Sequence, residues 1–415
     1  MHPFTIAFLI ALATTTLIRL WLGRRHVAHV LAHRDAVPAE FAETVTLAAH
    51  QKAADYTAAK TRLAGLETLV SAAVLLAFTL GGGLQALADG WGRALAPGGY
   101  WHGIALIASV AVIGGLIDLP FAVYRTFVVE ARFGFNRMTP LLFVADLARH
   151  AALAAALGLP LVFVVLWLMD RMGELWWLYV WLAWMGFNLL VLAIYPTVIA
   201  PLFNRFTPLE DPSLKGRIEA LLARCGFRAK GLFVMDGSRR SSHGNAYFTG
   251  LGAAKRIVFF DTLIQRLAPP EIEAVLAHEL GHFKRRHIVK RILVVAAVSL
   301  GFLYLLGYLI GQEWFFRALG VETRTTALAL LLFFMVLPVF TFLLQPLASL
   351  YSRKHEYEAD AYAAGHADAA SLVQALVKLY QDNAATLTPD PVHSAFYDSH
   401  PPAALRIARL QALRQ

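Results

Sequence analysis

Cysteine is nearly missing from this chain. Cys225 is the single one among 415 residues, so no internal disulfide can form and no cage of thiolates can hold a metal. Any metal site must be built from His, Asp and Glu. Charge is scarce as well, at 16% against 58% hydrophobic residues. The mean hydropathy of +0.56 lies far above what a soluble enzyme carries on its surface, which excludes a purely soluble protein. Acidic residues are the rarer sign, 28 against 37 basic ones, for a net charge of +9. The surplus sits beside hydrophobic blocks, where anionic headgroups attract it, so it points to a lipid bilayer as partner and to no nucleic acid. Internal repeats, low-complexity tracts and long linkers are lacking too. The leading stretch MHPFTIAFLI has neither Lys nor Arg, while Arg24 and Arg25 follow it. That order reads as a signal anchor with its amino terminus outside, not as a cleaved leader.

What the chain does have is seven apolar runs of membrane-spanning length: Phe4–Leu22, Leu69–Ala88, Gly103–Tyr124, Ala151–Met169, Leu175–Ala200, Ile292–Ile310 and Thr326–Leu347. Arg24, Arg25, Arg34, Lys52, Lys60 and Arg62 follow the first run, and Arg125, Arg132 and Arg137 the third. The intervening connections are short and carry Arg93, Arg171, Arg317 and Arg324. The positive-inside rule then puts the carboxyl terminus in the cytoplasm. Four parts follow: a membrane part over 1–200 with five spans, a first catalytic section over 201–291, spans six and seven over 292–347, and a second catalytic section over 348–415. Both hydrophilic sections lie on one side and can fold together. Within them Leu214–Cys225, Pro270–Arg286 and Leu350–Ala364 read as helices, and Gly231–Met235 and Arg256–Phe260 as short strands. Asp118, Arg149, His150, Asn188 and Gln345 lie in or near spans, where polar groups imply contact with protein or an aqueous cavity. The fold class is mainly α, a seven-helix multi-pass membrane protein with a small α+β domain.

The most specific signal is His278-Glu279-Leu280-Gly281-His282. Pro269-Pro270 starts a helix, on which the two histidines, four residues apart, share a face and can converge on a zinc ion. Glu279 falls beside the ion without ligating it, placed to take a proton from an activated water. A catalytic zinc needs a third protein ligand, and Ser352-Arg353-Lys354-His355-Glu356-Tyr357-Glu358-Ala359-Asp360 offers one on the same side of the membrane. Glu356 and Asp360 share a helix face, whereas Glu358 points away. Glu356 is the expected ligand, Asp360 the acceptor that fixes the tautomer of a ligating histidine, and His355 a bystander. Replacing Glu358 is expected to matter little.

The segment SRKHEYEADAYA together with AHELGH resembles the integral-membrane zinc metalloproteases of the CAAX prenyl endopeptidase type, in which the first such glutamate is the third zinc ligand. SHGNAYF followed by KRIVFFDTLI is similar to the strand that lines that family's cleft, with Gly244 departing from the serine of the eukaryotic pattern. TFVVEARFGFNRMTP, APLFNRFTPLED and FYDSHPPAALRI extend the resemblance over most of the chain. It implies a strand at Asn245, Ala246 and Tyr247 that pairs with substrate backbone, whereas the bare sequence there reads as a polar hairpin. It further implies that His400 reaches the active site, and that Arg406 either binds substrate or ties the tail to the acidic site. A water-filled chamber walled by helices is also implied.

The expectation is therefore a membrane zinc endopeptidase with one Zn2+ held by His278, His282 and Glu356, acting on peptide or protein substrates that are prenylated or otherwise membrane-associated. Three rivals stand beside it. A quality-control protease would use the same chemistry on unlipidated chains. An intramembrane protease would set the motif inside a span, against which Lys284-Arg285-Arg286-His287 argues. A transporter or scaffold would hold a structural zinc, against which Glu279 argues. Alanine-rich composition and arginine in excess over lysine suggest a bacterial inner membrane.

Overall fold

The computed structural model describes residues 1–227, 231–249 and 256–413. Seven of its helical segments are long and apolar enough to cross a membrane: Pro3–Ala32, Leu47–Phe78, Tyr100–Glu130, Pro140–Arg171, Gly173–Leu202, His287–Leu309 and Thr326–Ala364. Polar caps start several of them. The Thr46 hydroxyl accepts from Ala49 N at 3.2 Å at the head of α2 (Leu47–Phe78). Thr139 does the same for Leu142 N ahead of Pro140, the first residue of α5 (Pro140–Arg171).

The helices run beyond the expected apolar stretches, and the second span also breaks inside one. The second span was expected over Leu69–Ala88, but α2 stops at Phe78, and a separate short helix, α3 (Gly83–Gly92), carries the rest. The cause is the run Gly81-Gly82-Gly83: Gly82 has φ 77°, a left-handed turn that favours glycine. On its other side α2 reaches back to Leu47 through Lys60, Arg62 and Glu67, residues whose charge hid the helix. These side chains need no lipid contact, because they line a cavity of about 1210 Å3 between α1 (Pro3–Ala32) and α2. Arg125, Glu130, His393 and Tyr397 border the same cavity. Asp118 lines a smaller adjoining cavity of about 330 Å3, and Asn188 donates to the Trp184 carbonyl one turn back in α6 (Trp176–Ile194). Asp118 thus faces a cavity and Asn188 a backbone carbonyl, which lowers their cost in lipid.

The hydrophilic sections form a small sheet with helices. Its four strands, β1 (Phe206–Pro208), β2 (Gly231–Met235), β3 (Ala246–Thr249) and β4 (Arg256–Phe260), lie in the order β1-β2-β4-β3. β2 and β4 pair in parallel with Phe233 opposite Val258, and β3 closes antiparallel on β4 with Tyr247 opposite Val258. β2 and β4 occupy the expected ranges, and β3 stands at the sheet's edge. Ile257 and Phe259 of β4 pack against Leu276 and Leu280 of α9 (Pro269–Lys284) and Leu372 and Leu376 of α14 (Ala369–Asp382), so both hydrophilic sections contribute to one core. A second core unites Leu106, Leu166, Leu306, Leu328 and Leu332 of the membrane helices.

Two membrane helices feed directly into the catalytic part. α9 is followed after two residues by α10 (His287–Leu309), which begins span six. α12 (Thr326–Thr341) is followed by one tight turn and then by α13 (Gln345–Ala364). The expected helix Leu350–Ala364 is the distal part of α13. Asp146 of α5 is gripped by Arg149 at 2.8 Å and by Arg240 at 2.7 Å, which ties the membrane part to the loop after β2.

Candidate active site

α9 starts at Pro269, where the Ala268 N–H donates to Glu271 Oε2 at 2.7 Å and Lys378 of α14 pairs with the same carboxylate. From that fixed start, His278 and His282 emerge one turn apart with their Nε2 atoms 3.2 Å from each other. α13 crosses α9 at Gly281. A methyl group there would lie 2.9 Å from Ala359 Cα, so only glycine lets the two backbones come this close. The close crossing brings Glu356 to the histidines, with Oε2 3.5 Å from His278 Nε2 and Oε1 3.3 Å from His282 Nε2.

These three residues suit a metal ion on grounds of the structure itself. Their ligand atoms lie within 4.8 Å of one another. The outer nitrogen of each ring already has a partner, His278 Nδ1 with Asp360 Oδ1 at 2.8 Å and His282 Nδ1 with His287 Nδ1 at 3.0 Å. The two inner nitrogens therefore face each other and a carboxylate that is 5% exposed, whose Oε2 receives no hydrogen bond. Converging lone pairs and a buried anion repel unless a cation sits among them. Two imidazoles and one carboxylate, with the rest of the coordination open, form the donor set of a catalytic metal site.

Around this cluster the other expected residues take definite positions. Glu279 is half-buried on α9 beside the cluster and contributes no ligand atom to it. Burial pushes its carboxyl above the ordinary range, against the pull of His278 and His282. Asp360 accepts from His278 and is held in turn by Arg406, whose Nε and Nη2 approach its two oxygens at 2.9 and 2.6 Å. The Arg406 side chain is buried against Asp360, and its Nη1 also lies 3.7 Å from Glu356 Oε2. His400 is exposed, with Nε2 3.5 Å from Glu356 Oε1 and Nδ1 3.0 Å from the Ser399 hydroxyl. The protein packed around the solvent-reachable ring desolvates it enough to lower its pKa, and Glu356 opposes that shift.

β3 packs against α9. Asn245, just before it, is exposed; its carbonyl accepts from Phe260 N at 3.0 Å and its side chain from Ala246 N at 2.8 Å. Ala246 pairs with Phe259, and the Tyr247 hydroxyl points to Met235 Sδ at 3.9 Å. Tyr247 is thus committed to the sheet, and its side chain is half-buried there.

Sequence reasoning missed His287. It had also treated Glu358 and His355 as uninvolved. Glu358 does point away from the metal cluster, but its Oε2 meets His287 Nε2 at 3.0 Å, and His355 stacks on the His287 ring with centroids 3.9 Å apart. No periodicity could have found His287, because it lies beyond the end of α9, across a turn.

Comparison with known proteins accords with this geometry. Residues 26–205 match the family profile described as CAAX prenyl protease N-terminal, five membrane helices, and residues 208–414 match Peptidase family M48. The CAAX prenyl protease 1 homolog of Oryza sativa subsp. japonica is 41% identical over 314 residues, spanning 75% of this chain and 73% of that protein. CAAX prenyl protease 1 of Saccharomyces cerevisiae is 37% identical over 325 residues, covering 74% of this chain and 71% of that one. The crystal structure of S. mikatae Ste24p superposes with a TM-score of 0.88 at 30% identity over 99% of both chains. With both profiles in sequence order and the fold shared from end to end, the chain belongs to the CAAX prenyl protease branch of peptidase family M48, the multi-pass membrane metallopeptidases.

Proposed function

We propose that the metal is zinc, held by His278, His282 and Glu356, and that the chain cleaves prenylated peptides at the membrane. The observation that carries the reading is the convergence of these three ligands beside a Glu279 that binds none of them. Zinc would supply Lewis acidity, polarising the scissile carbonyl and acidifying nearby water. Glu279 takes the proton of the attacking water and returns it to the leaving amine. His400 donates an N–H to the oxyanion of the tetrahedral intermediate. The exposed edge of β3, from Asn245 through Ala246 and Tyr247, offers backbone groups to an extended substrate, which holds the scissile amide in register. Asp360 keeps His278 in the tautomer whose Nε2 lone pair faces the ion, and Arg406 balances the charge of Asp360.

For the substrate, support comes from the relatives, which are named CAAX prenyl proteases, and from the cavity between α1 and α2. That cavity reaches His393 and Tyr397 of α15 (Pro391–Tyr397), three residues before His400, so a lipid-bearing peptide held there would have its chain near the metal. We take 1–200 and 292–347 as the membrane part and 201–291 with 348–415 as the catalytic part, facing the cytoplasm of a bacterial cell from its inner membrane. The test is mass spectrometry of peptides incubated with the purified chain, with and without a farnesyl group on cysteine. Cleavage of the farnesylated peptide alone is expected. Equal cleavage of both forms would overturn lipid recognition and favour a quality-control protease. Glu279→Gln should retain zinc and lose activity by roughly 10²–10⁴-fold, and its failure to bind zinc would overturn the division between ligand and base.

A further inference from the structure

α9 ends at Lys284, and the chain must reverse within two residues to begin α10 at His287. It does so through Arg286, with φ 57° and ψ 35°, one of two non-glycine residues of positive φ among the described residues. That conformation is strained for a residue bearing a side chain, and it returns His287 to the histidine five positions earlier. The ring is 4% exposed, with Nδ1 3.0 Å from His282 Nδ1 and Nε2 3.0 Å from Glu358 Oε2.

One arrangement of protons satisfies all these contacts. For His282 to offer its Nε2 lone pair to a cation, its Nδ1 must carry the proton and donate it. The acceptor is His287 Nδ1, which must then be bare. His287 Nε2 consequently carries the hydrogen and donates it to Glu358, which accepts as a carboxylate. His355 stacks on the His287 ring and keeps it from rotating out of this line. Asp360 serves His278 directly, whereas His282 has no carboxylate of its own on the outer side.

We infer that His287 and Glu358 are positioning residues that hold His282 in its metal-binding tautomer and tilt. The three carboxylates of α13 thus divide the work: Glu356 faces the ion, Asp360 supports His278, and Glu358 supports His282 through His287. Because His287 is also the first residue of α10, the orientation of a metal ligand is coupled to the entry of span six. The inference rests on His278, His282 and Glu356 binding the metal, and its test separates the two.

The measurement is the zinc dissociation constant of the full-length chain in detergent, by competition with a chromogenic chelator, together with the melting temperature of the metal-stripped protein. His287→Leu should weaken zinc roughly 10–100-fold, the typical effect of losing such a partner. His287→Asn sets an amide oxygen where Nδ1 now accepts, and should restore affinity to within a few-fold of the parent. Glu358→Gln, whose amide oxygen still accepts from His287, should lose much less than Glu358→Leu. The metal-stripped His287→Leu and His287→Asn proteins should melt together. Unchanged zinc affinity in His287→Leu, or equal losses in the Leu and Asn variants, would overturn the relay. Control variants His282→Ala and Glu356→Ala isolate the underlying reading: if they keep zinc, the ligand assignment itself fails, and if only they lose it, the relay alone does.

Discussion

At the scale of single residues, the site divides into groups that face the reacting atoms and groups that hold them there. In the proposed mechanism His400 is of the first kind. It is exposed near Glu356, and the following Pro401 and Pro402 restrict its backbone. As an oxyanion donor it should, when changed to Ala, lower kcat by roughly 10²–10³-fold with zinc content intact; a rise in KM at constant kcat would instead assign it to ground-state binding. Arg406 is of the second kind. Removing it leaves Asp360 buried with one partner fewer, so Arg406→Ala should destabilise the chain by roughly 3–5 kcal/mol and loosen the metal, seen as a lower melting temperature and faster zinc loss. An Arg406→Ala protein with normal stability and a raised KM alone would return it to a substrate-binding role. The clustering of His278, His282 and Glu356 was legible in the sequence because four-residue spacing on a helix is a geometric statement. His287 was not, because its position depends on one left-handed residue, Arg286.

At the scale of elements, the site depends on how closely α9 and α13 approach. Gly281, inside the metal-binding motif, is where the helices touch: a Cβ would meet Ala359 Cα at 2.9 Å, Ala359 O at 3.0 Å and Tyr362 Cβ at 3.1 Å. Backbone atoms cannot swing aside as side chains do, so Gly281→Ala must push α13 outward and carry Glu356 away from the histidines. The expected result is a loss of stability of roughly 1–3 kcal/mol together with weaker zinc binding, measured as a melting curve and a chelator titration. An alanine variant with parental zinc affinity would show that Glu356 has slack. The sheet tells a similar story of partial legibility. Runs such as RIVFF announce a strand by their branched and aromatic residues. That β3 falls at the edge among the described strands follows only from the order β1-β2-β4-β3.

At the scale of the whole molecule, seven spans and the distribution of Lys and Arg predict opposite faces for the loop holding Arg93 and for the chain end. On a background with Cys225 replaced, single cysteines at these two positions should label from opposite sides of the membrane, with the chain end reactive from the cytoplasm. Labelling from the same face would contradict the seven-span arrangement. The cavity between α1 and α2 is also a property of this scale. Lys60, Arg62 and Glu67 look unsuited to a span until α1 pairs with α2 and gives them a polar interior to face.

The sequence alone determined the number of spans, the positive-inside asymmetry, the two strands β2 and β4, and the residues able to bind a metal, because each is set by local composition or by helical spacing that needs no partner. Tertiary structure alone decided where α2 ends and how far back it reaches, the ion pair that buries Arg406 against Asp360, and the link from Glu358 through His287 to His282. Those outcomes join groups from elements distant in sequence. Such contacts are fixed by backbone approach and burial, which depend on how α9, α10 and α13 pack together, and no single segment carries that information.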